Sequence, residues 1–392
     1  MNVILVRYGE IHLKGQNRPL FEKLLLRAIK NSVEGLAQKV VKTQGRYYVE
    51  QYDINDQDEI IERLKCVFGV HSISIAKKVD KELDKIIEAS IELVNDEAKK
   101  YKNPKFKVNA RRSDKTFPLN SMELAPLIGG KILESNSEIS VAVKDYDFAL
   151  GVEIREVAYI YTGEIMGQGG MPIGSSSKAA LLLSGGIDSP VAGHMIMKRG
   201  VRIECVHFHS FPFTSERALN KVKDLTKIMA KYCGAIRLHV VAFTEIQKKI
   251  YEICPDRETT VIMRRAMMQI AEGIAKKYEC RALITGEAIG QVASQTLQAL
   301  ECTNEAVDMP VFRPLIGFDK NEILERSRNI GTYETSILPY EDCCTIFTPK
   351  HPVTAPKVER IKESQGLIEN WQELIDQAID SAESEFFKYN MQ

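Results

Sequence analysis

The chain has 392 residues, 44% hydrophobic and 27% charged, and its 53 basic residues are matched by 53 acidic ones. That composition excludes disorder, coiled coil and collagen, and zero net charge argues against a protein that is basic over its whole surface. At this length two or three domains with substantial cores are expected. Only a short apolar run precedes Arg7, so no signal peptide is predicted, and no stretch approaches the roughly 18 apolar residues of a membrane span. The expected location is the cytoplasm. The eight cysteines include no C-x-x-C pair and one vicinal pair, Cys343-Cys344, which suits neither a zinc ligand set nor a disulfide scaffold.

In chain order, the apolar run Val3 to Val6 leads through a turn-rich segment, Gly9 to Pro19, into a helical pattern from Leu20 to about Val40. A strand at Arg46 to Val49, a helix near Glu59 to Cys66 and an alternating strand from His71 to Ala76 complete a small α+β unit. A second such unit begins near Glu82 with the helical stripe Ile86, Ile87, Ile91, Leu93 and Val94. It continues through a basic strand from Lys105 to Val108, a helix from Ser121 to Ser135, and strand-like runs at Ile139 to Val143 and Phe148 to Ile160. Gly167 to Ser177 reads as a linker or an ordered loop. Beyond it, Ala179 to Leu183, Val201 to Phe208, Ile236 to Phe243 and Arg281 to Thr285 alternate with helical patterns. Continuous apolar runs of this kind are strands buried on both faces of a parallel sheet, so a doubly wound α/β domain is expected, with ligands at the carboxyl ends of its strands. Helical sequence is predicted from Lys357 to Phe387.

The strongest chemical signal is Leu181-Leu182-Leu183-Ser184-Gly185-Gly186-Ile187-Asp188-Ser189-Pro190, an apolar strand that enters a glycine turn and then a helix opened by Pro190. Two glycines allow close backbone approach to an anion, and the helix N-terminus offers free N–H groups. No Gly-Lys-Ser/Thr follows, so this is not a Walker A loop, and it lacks the G-x-G-x-x-G of dinucleotide folds. A tight strand-to-helix turn without a ligand is the bland alternative. Asp188 suits helix capping.

The S-G-G-I-D-S segment resembles the pyrophosphate loop (PP-loop) of ATP pyrophosphatases, which cleave ATP between the α- and β-phosphates. Three further stretches narrow the resemblance: Arg7-Tyr8-Gly9-Glu10-Ile11-His12-Leu13-Lys14-Gly15, Gly170-Met171-Pro172-Ile173-Gly174-Ser175-Ser176, and Arg313-Pro314-Leu315-Ile316-Gly317-Phe318-Asp319-Lys320. In this order and over essentially the whole chain, they are similar to the tRNA 4-thiouridine synthetases, the tRNA sulfurtransferases of thiamine biosynthesis (ThiI family).

The resemblance implies a multidomain α/β and α+β chain. Its parts would be a ferredoxin-like domain over residues 1–78, a THUMP RNA-binding domain over 79–166, a linker over 167–177 and a PP-loop ATP pyrophosphatase domain over 178–392. It implies ATP with Mg2+, which Asp188 would organise with the pyrophosphate, adenylation of the uridine at tRNA position 8, and replacement of its oxygen by persulfide sulfur from a cysteine desulfurase. A sulfur-carrier protein of thiazole synthesis and a homodimer are further expected partners, with no membrane. Nucleotide contacts carried over by motif fall on Leu182, Leu183, Ser184, Gly185, Gly186, Asp188, Ser189, His207, Phe208, Arg264, Gly286 and Gln295. Lys320 is a candidate for stabilising charge on the α-phosphate or a surface charge at a helix start.

The family places a sulfur-carrying cysteine in the loop after the sheet, and Pro339-Tyr340-Glu341-Asp342-Cys343-Cys344 supplies it, with Cys343 favoured as carrier. Glu341 and Asp342 would raise its pKa unless the fold supplies cations. Many members carry an additional rhodanese domain; this chain reads as a short form in which sulfur passes directly to Cys343. Between Lys99 and Lys115 lie eight basic residues and one acid, interleaved with aromatics. Within that strip Lys102, Lys105, Lys107, Arg111, Arg112 and Lys115 are the candidate contacts to the tRNA acceptor region. The competing readings are a PP-loop ligase or amidase acting on a small molecule, and a tRNA-binding protein without turnover.

Overall fold

Two units, Met1–Gly170 and Met171–Gln392, divide the chain. The computed structural model describes residues 1–43, 45–292, 294–340 and 349–389.

In the first unit, β1 (Asn2–Tyr8), α1 (Arg18–Ser32), β2 (Ala37–Thr43), β3 (Arg46–Tyr52), α2 (Gln57–Lys65) and β4 (Val70–Val79) form the ferredoxin-like part. Its strands lie in the order β2-β3-β1-β4, all antiparallel. Val3 to Val6 are fully buried because β1 is central and covered on both faces. The helix expected to reach about Val40 ends at Ser32. Gly35 turns the chain at φ +81°, and the polar segment that follows is the half-exposed edge strand β2.

The sheet runs on without a break into the THUMP part. Here α3 (Leu83–Ala98), β5 (Lys105–Arg112), α4 (Ser121–Ser135), β6 (Ser140–Val141), β7 (Phe148–Ile154), β8 (Ala158–Thr162) and β9 (Ile165–Met166) follow. β8 pairs with β4, and β5 lies parallel between β7 and β6. The run Phe148 to Ile160, expected as one strand, is a hairpin closed by the Arg155 N–H donating to the Val157 carbonyl. Ile86, Val94, Phe106, Leu124, Ile128, Ile132 and Leu150 pack as the core beneath it. Gly167 and Gly169 donate to the His71 and Val70 carbonyls, so the start of the expected linker is hydrogen-bonded to β4.

A buried carboxylate braces the ferredoxin-like part. Glu22, 6% exposed, accepts from the Tyr8 hydroxyl at 2.5 Å, Arg18 Nε at 2.9 Å and Lys42 Nζ at 2.5 Å. Burial raises its pKa, but the Lys42, Tyr8 and Arg18 hydrogen bonds outweigh it and hold the carboxyl at about 2. A depressed carboxyl contributes stability that is full above its ordinary value of 4.5 and is lost as pH falls through about 2. Glu22→Gln is therefore expected to lower the melting temperature at neutral pH, with the gap to the unsubstituted chain closing in acid. Thermal denaturation of both chains against pH checks this; a gap independent of pH would contradict it.

In the second unit, β10 (Lys178–Leu182), α5 (Asp188–Met197), β11 (Arg202–His209), α6 (Glu216–Cys233), β12 (Ala235–Ala242), α7 (Thr244–Ile253) and α8 (Thr259–Lys277) lead to β13 (Cys280–Ile284). After these come α9 (Leu297–Asn304), β14 (Val311–Phe312), α10 (Lys320–Asn329), α11 (Tyr333–Ser336), two helices at Val358–Gln365 and Trp371–Asp380, and β15 (Glu383–Lys388). The strand order is β14-β13-β10-β11-β12-β15, parallel except for β15. From β10 the chain steps outward through β11 and β12, then returns to place β13 on the other side of β10. That reversal opens a crevice at the carboxyl ends of β10 and β13. Val206, Phe208, Val241 and Leu283 pack with Ile262, Ala266, Ile270 and Ile274 of α8 and with Trp371.

Two expectations are corrected. The last part of 357–387 is strand, not helix: β15 is an acidic antiparallel edge in which Phe387 is buried while Phe386 is 53% exposed. Helix α5 begins at Asp188, two residues before Pro190. Proline is accommodated there because none of the first four N–H groups of a helix has an intrahelical partner.

Candidate active site

The turn after β10 is closed by its own hydroxyls. Ser184 N–H donates to Ser189 Oγ at 2.9 Å, Gly186 N–H to Ser184 Oγ at 3.2 Å, and Ser189 Oγ lies 3.3 Å from the Ser184 carbonyl. The two serines thus pin the ends of the turn across the start of α5. Leu183 is buried and joins β11 through its N–H to the Val206 carbonyl. Nδ1 of buried His207 lies 3.0 Å from the Leu183 carbonyl. Leu182, last residue of β10, packs partly buried against the core. The Phe208 side chain is core, edge-on to Phe243 at 5.1 Å, so of the carried-over pair His207 supports the loop and Phe208 offers only its backbone.

Asp188 does not cap its helix through its side chain; the N-cap position is Ile187. Its Oδ1 instead receives Lys320 Nζ at 2.7 Å. Asp319 places that lysine: it caps α10 through the N–H groups of Asn321 and Glu322, with Glu322 completing a capping box. Both predicted catalytic side chains on described residues therefore meet, half-exposed, beside the glycine turn.

Across the crevice, Gly286 follows β13 at van der Waals distance from α5. A Cβ there would stand 2.7 Å from Ser189 N and 2.8 Å from the Asp188 carbonyl carbon, so only glycine fits. The next residue, Glu287, is 5% exposed and was not singled out by sequence. Its carboxylate pairs with Arg264, accepts from Arg313 Nε at 2.7 Å and from the Thr285 hydroxyl at 2.8 Å. Arg264, expected as a nucleotide contact, is tied to Glu287 and donates to the Ser294 carbonyl at 2.5 Å. Gln295 Oε1 accepts the Ala288 N–H at 3.3 Å, shaping the loop. The only sequence trace of this cluster is the spacing Thr285-Gly286-Glu287 followed by Arg313.

Cys343 and its neighbour Cys344 lie outside the described residues. The chain that leads to them is anchored beside the turn: Ser336 Oγ is 3.3 Å from the Gly186 carbonyl, and Lys221 Nζ donates to the Leu338 carbonyl at 2.9 Å. Other thiols of this unit are poorly suited to sulfur transfer. Burial pushes Cys233 up to about 12 and Cys254 and Cys280 up to about 11, and it raises Cys205 and Cys302 as well.

Of the basic strip, Lys102, Lys105, Arg111 and Lys115 are exposed and Lys107 is partly so, its Nζ 5.5 Å from the Tyr146 ring centre. Lys105, Lys107 and Arg111 share one face of β5. Arg112 points to the other face, where it donates to the Phe117 carbonyl at 2.8 Å. Lys99 and Lys100 are neutralised by Asp96 and Glu97.

A doubly wound parallel sheet with this S-G-G-I-D-S turn at its switch point is a PP-loop ATP pyrophosphatase domain. The family description "Thiamine biosynthesis protein (ThiI)" matches residues 174–369, "ThiI ferredoxin-like domain" residues 3–74 and "THUMP domain" residues 80–162. A "Probable tRNA sulfurtransferase" of Acetivibrio thermocellus is 54% identical over 97% of both chains, and one from Alkaliphilus oremlandii is 50% identical over 98% of both. The solved 4-thiouridine synthetase–RNA complex with bound ATP superposes with a TM-score of 0.90 at 40% identity, covering 99% of this chain and all of that one. The chain belongs to the ThiI family of tRNA sulfurtransferases. No helix of the described residues is long and apolar enough to cross a membrane.

Proposed function

We propose that the chain is an ATP-dependent tRNA sulfurtransferase. It adenylates O4 of the uridine at tRNA position 8; the terminal sulfur of a Cys343 persulfide attacks C4 and expels AMP, and a second thiol then attacks Cys343 Sγ, breaking the S–S bond to release 4-thiouridine and leaving a disulfide for an external reductant. The observation that carries this reading is the glycine turn at the β10/β13 switch point with Asp188 and Lys320 joined beside it, in a chain 54% identical to a sulfurtransferase along nearly its whole length.

The turn and the start of α5 suit the β- and γ-phosphates, which leave as pyrophosphate. Lys320 neutralises charge gathering on the α-phosphate as the uracil oxygen attacks. Asp188 is a hard oxygen ligand already engaged with a cation, which fits Mg2+. Among the described residues no cluster of three or more His, Cys, Asp or Glu could hold a metal alone, so the ion would arrive with ATP. Bound there, it would neutralise phosphate charge and orient the leaving group. The backbone at Phe208 and the loop held by Arg264 and Gln295 would seat the nucleoside.

A cysteine desulfurase is the sulfur donor in this reading, a homodimer the working assembly and the cytoplasm the location. The family description supports a further role in thiamine biosynthesis; in this reading the chain supplies sulfur to the thiazole through a carrier protein. ATP labelled at its α-phosphate tests the adenylation step: AMP formation that depends on unmodified tRNA is expected, whereas ADP or tRNA-independent turnover would defeat the reading.

On the first unit, the Lys105, Lys107 and Arg111 face meets RNA phosphate, with Lys102 and Lys115 flanking it. Each single replacement by alanine is expected to lower the slope of log binding constant against log salt by roughly one, whatever the tRNA sequence. Arg112→Ala should act on the Phe117 loop rather than on this slope. Titrating tRNA binding at several salt concentrations decides, and an unchanged slope in all three lysine and arginine variants would remove the strip from the interface.

A further inference from the structure

We propose that Glu287 is the positioning residue of the nucleotide site: one buried carboxylate sets Arg264, and through it Ser294 and Gln295, for ATP. This rests on the nucleotide reading of the crevice. Three parts of the fold converge on that carboxylate, namely the end of β13 through Thr285, helix α8 through Arg264, and the segment after β14 through Arg313. The residue before it is the glycine that touches the first turn of α5. A shift of Glu287 is thereby transmitted to the phosphate turn on one side and, through Arg264 and the Ser294 carbonyl, to the loop on the other.

The cluster is more than a strut. Two guanidinium groups share one carboxylate, and burial lowers the pKa of Arg313. Among the described residues the buried donors Arg313 Nη2, in the cluster, and Gln291 Nε2, in the loop after β13, have no hydrogen-bond partner. A purely structural tie between elements is made as well by apolar packing, without the desolvation of three charges. Unspent donors are what a polyanionic ligand takes up on binding. Glu287 itself carries the same sign as ATP, so its value lies in orienting Arg264, not in attraction.

The test is a double-mutant cycle of Glu287→Gln and Arg264→Ala in the full chain, reading ATP affinity by calorimetry, KM and kcat for AMP formation, and melting temperature. Glu287→Gln is expected to raise the dissociation constant and KM for ATP on the order of tenfold or more, the scale of a lost charge-assisted hydrogen bond, with kcat changing less. The double variant should bind no more weakly than Arg264→Ala. A lower melting temperature with unchanged KM, additive effects, or tighter ATP binding after Glu287→Gln would overturn the proposal. Absence of ATP binding by the unsubstituted chain would instead defeat the nucleotide reading itself. If Glu287→Gln does not fold, Glu287→Asp is read in the same way, since the shorter carboxylate cannot reach both arginines.

Discussion

Cys343→Ser is expected to abolish 4-thiouridine formation while a first turnover of ATP to AMP and pyrophosphate survives. In the proposed mechanism adenylation uses the phosphate turn, Asp188 and Lys320, none of which needs a thiol. Sulfur delivery does need one, and burial raises the five described thiols of the second unit, which disfavours the nucleophilic thiolate. The described chain before Cys343 is fixed at Ser336 against the Gly186 carbonyl and at Leu338 by Lys221. Cys344→Ser should keep single-turnover activity, because a vicinal disulfide is strained and another reductant can release the product. Thiolation measured by the absorbance of 4-thiouridine, beside AMP release, separates the steps. Full thiolation by Cys343→Ser would remove the residue from the mechanism.

The second large effect is expected at Gly286→Ala. The new methyl would sit inside the contact radius of the Ser189 nitrogen and the Asp188 carbonyl carbon, backbone atoms that cannot turn aside. Either the end of β13 or the start of α5 must move. Overpacking of this kind costs about 1–3 kcal/mol of stability, and a displacement of about 1 Å at reacting groups lowers turnover on the order of a hundredfold. AMP formation should fall far more than the melting temperature alone explains, since Asp188 lies at the shifted end. Melting and turnover both unchanged would show that the approach of β13 to α5 is looser than the structure has it.

What could be read from sequence follows from what is local. Leu181 to Pro190 announces its turn because an apolar strand, two glycines and a helix start are adjacent in the chain, and β10 to β13 are legible because strands buried on both faces become unbroken apolar runs. Edge strands lack that signature. Ala37–Thr43 and Glu383–Lys388 are polar and half-solvated, so their residues resemble helix or its continuation. Side-chain partners are the other blind spot. Sequence reads Arg264 as a nucleotide contact and Arg112 as an RNA contact, without sight of what holds each side chain. Their partners, Glu287 and the Phe117 carbonyl, are brought to them only by folding. The Glu287 cluster went unseen for the same reason, being assembled from residues 264, 285, 287 and 313.

In the proposed reaction one chain couples ATP cleavage at the Ser184 to Ser189 turn to thiolation of a tRNA base. Incubating the protein with ATP, Mg2+, a cysteine desulfurase, cysteine and unmodified tRNA, then mapping 4-thiouridine and counting AMP, measures both halves together. Expected are 4-thiouridine at position 8 and one AMP released per base modified, both lost in Asp188→Ala. Thiolation that proceeds without ATP, or AMP release on a small-molecule acceptor in the absence of tRNA, would contradict the proposed reaction.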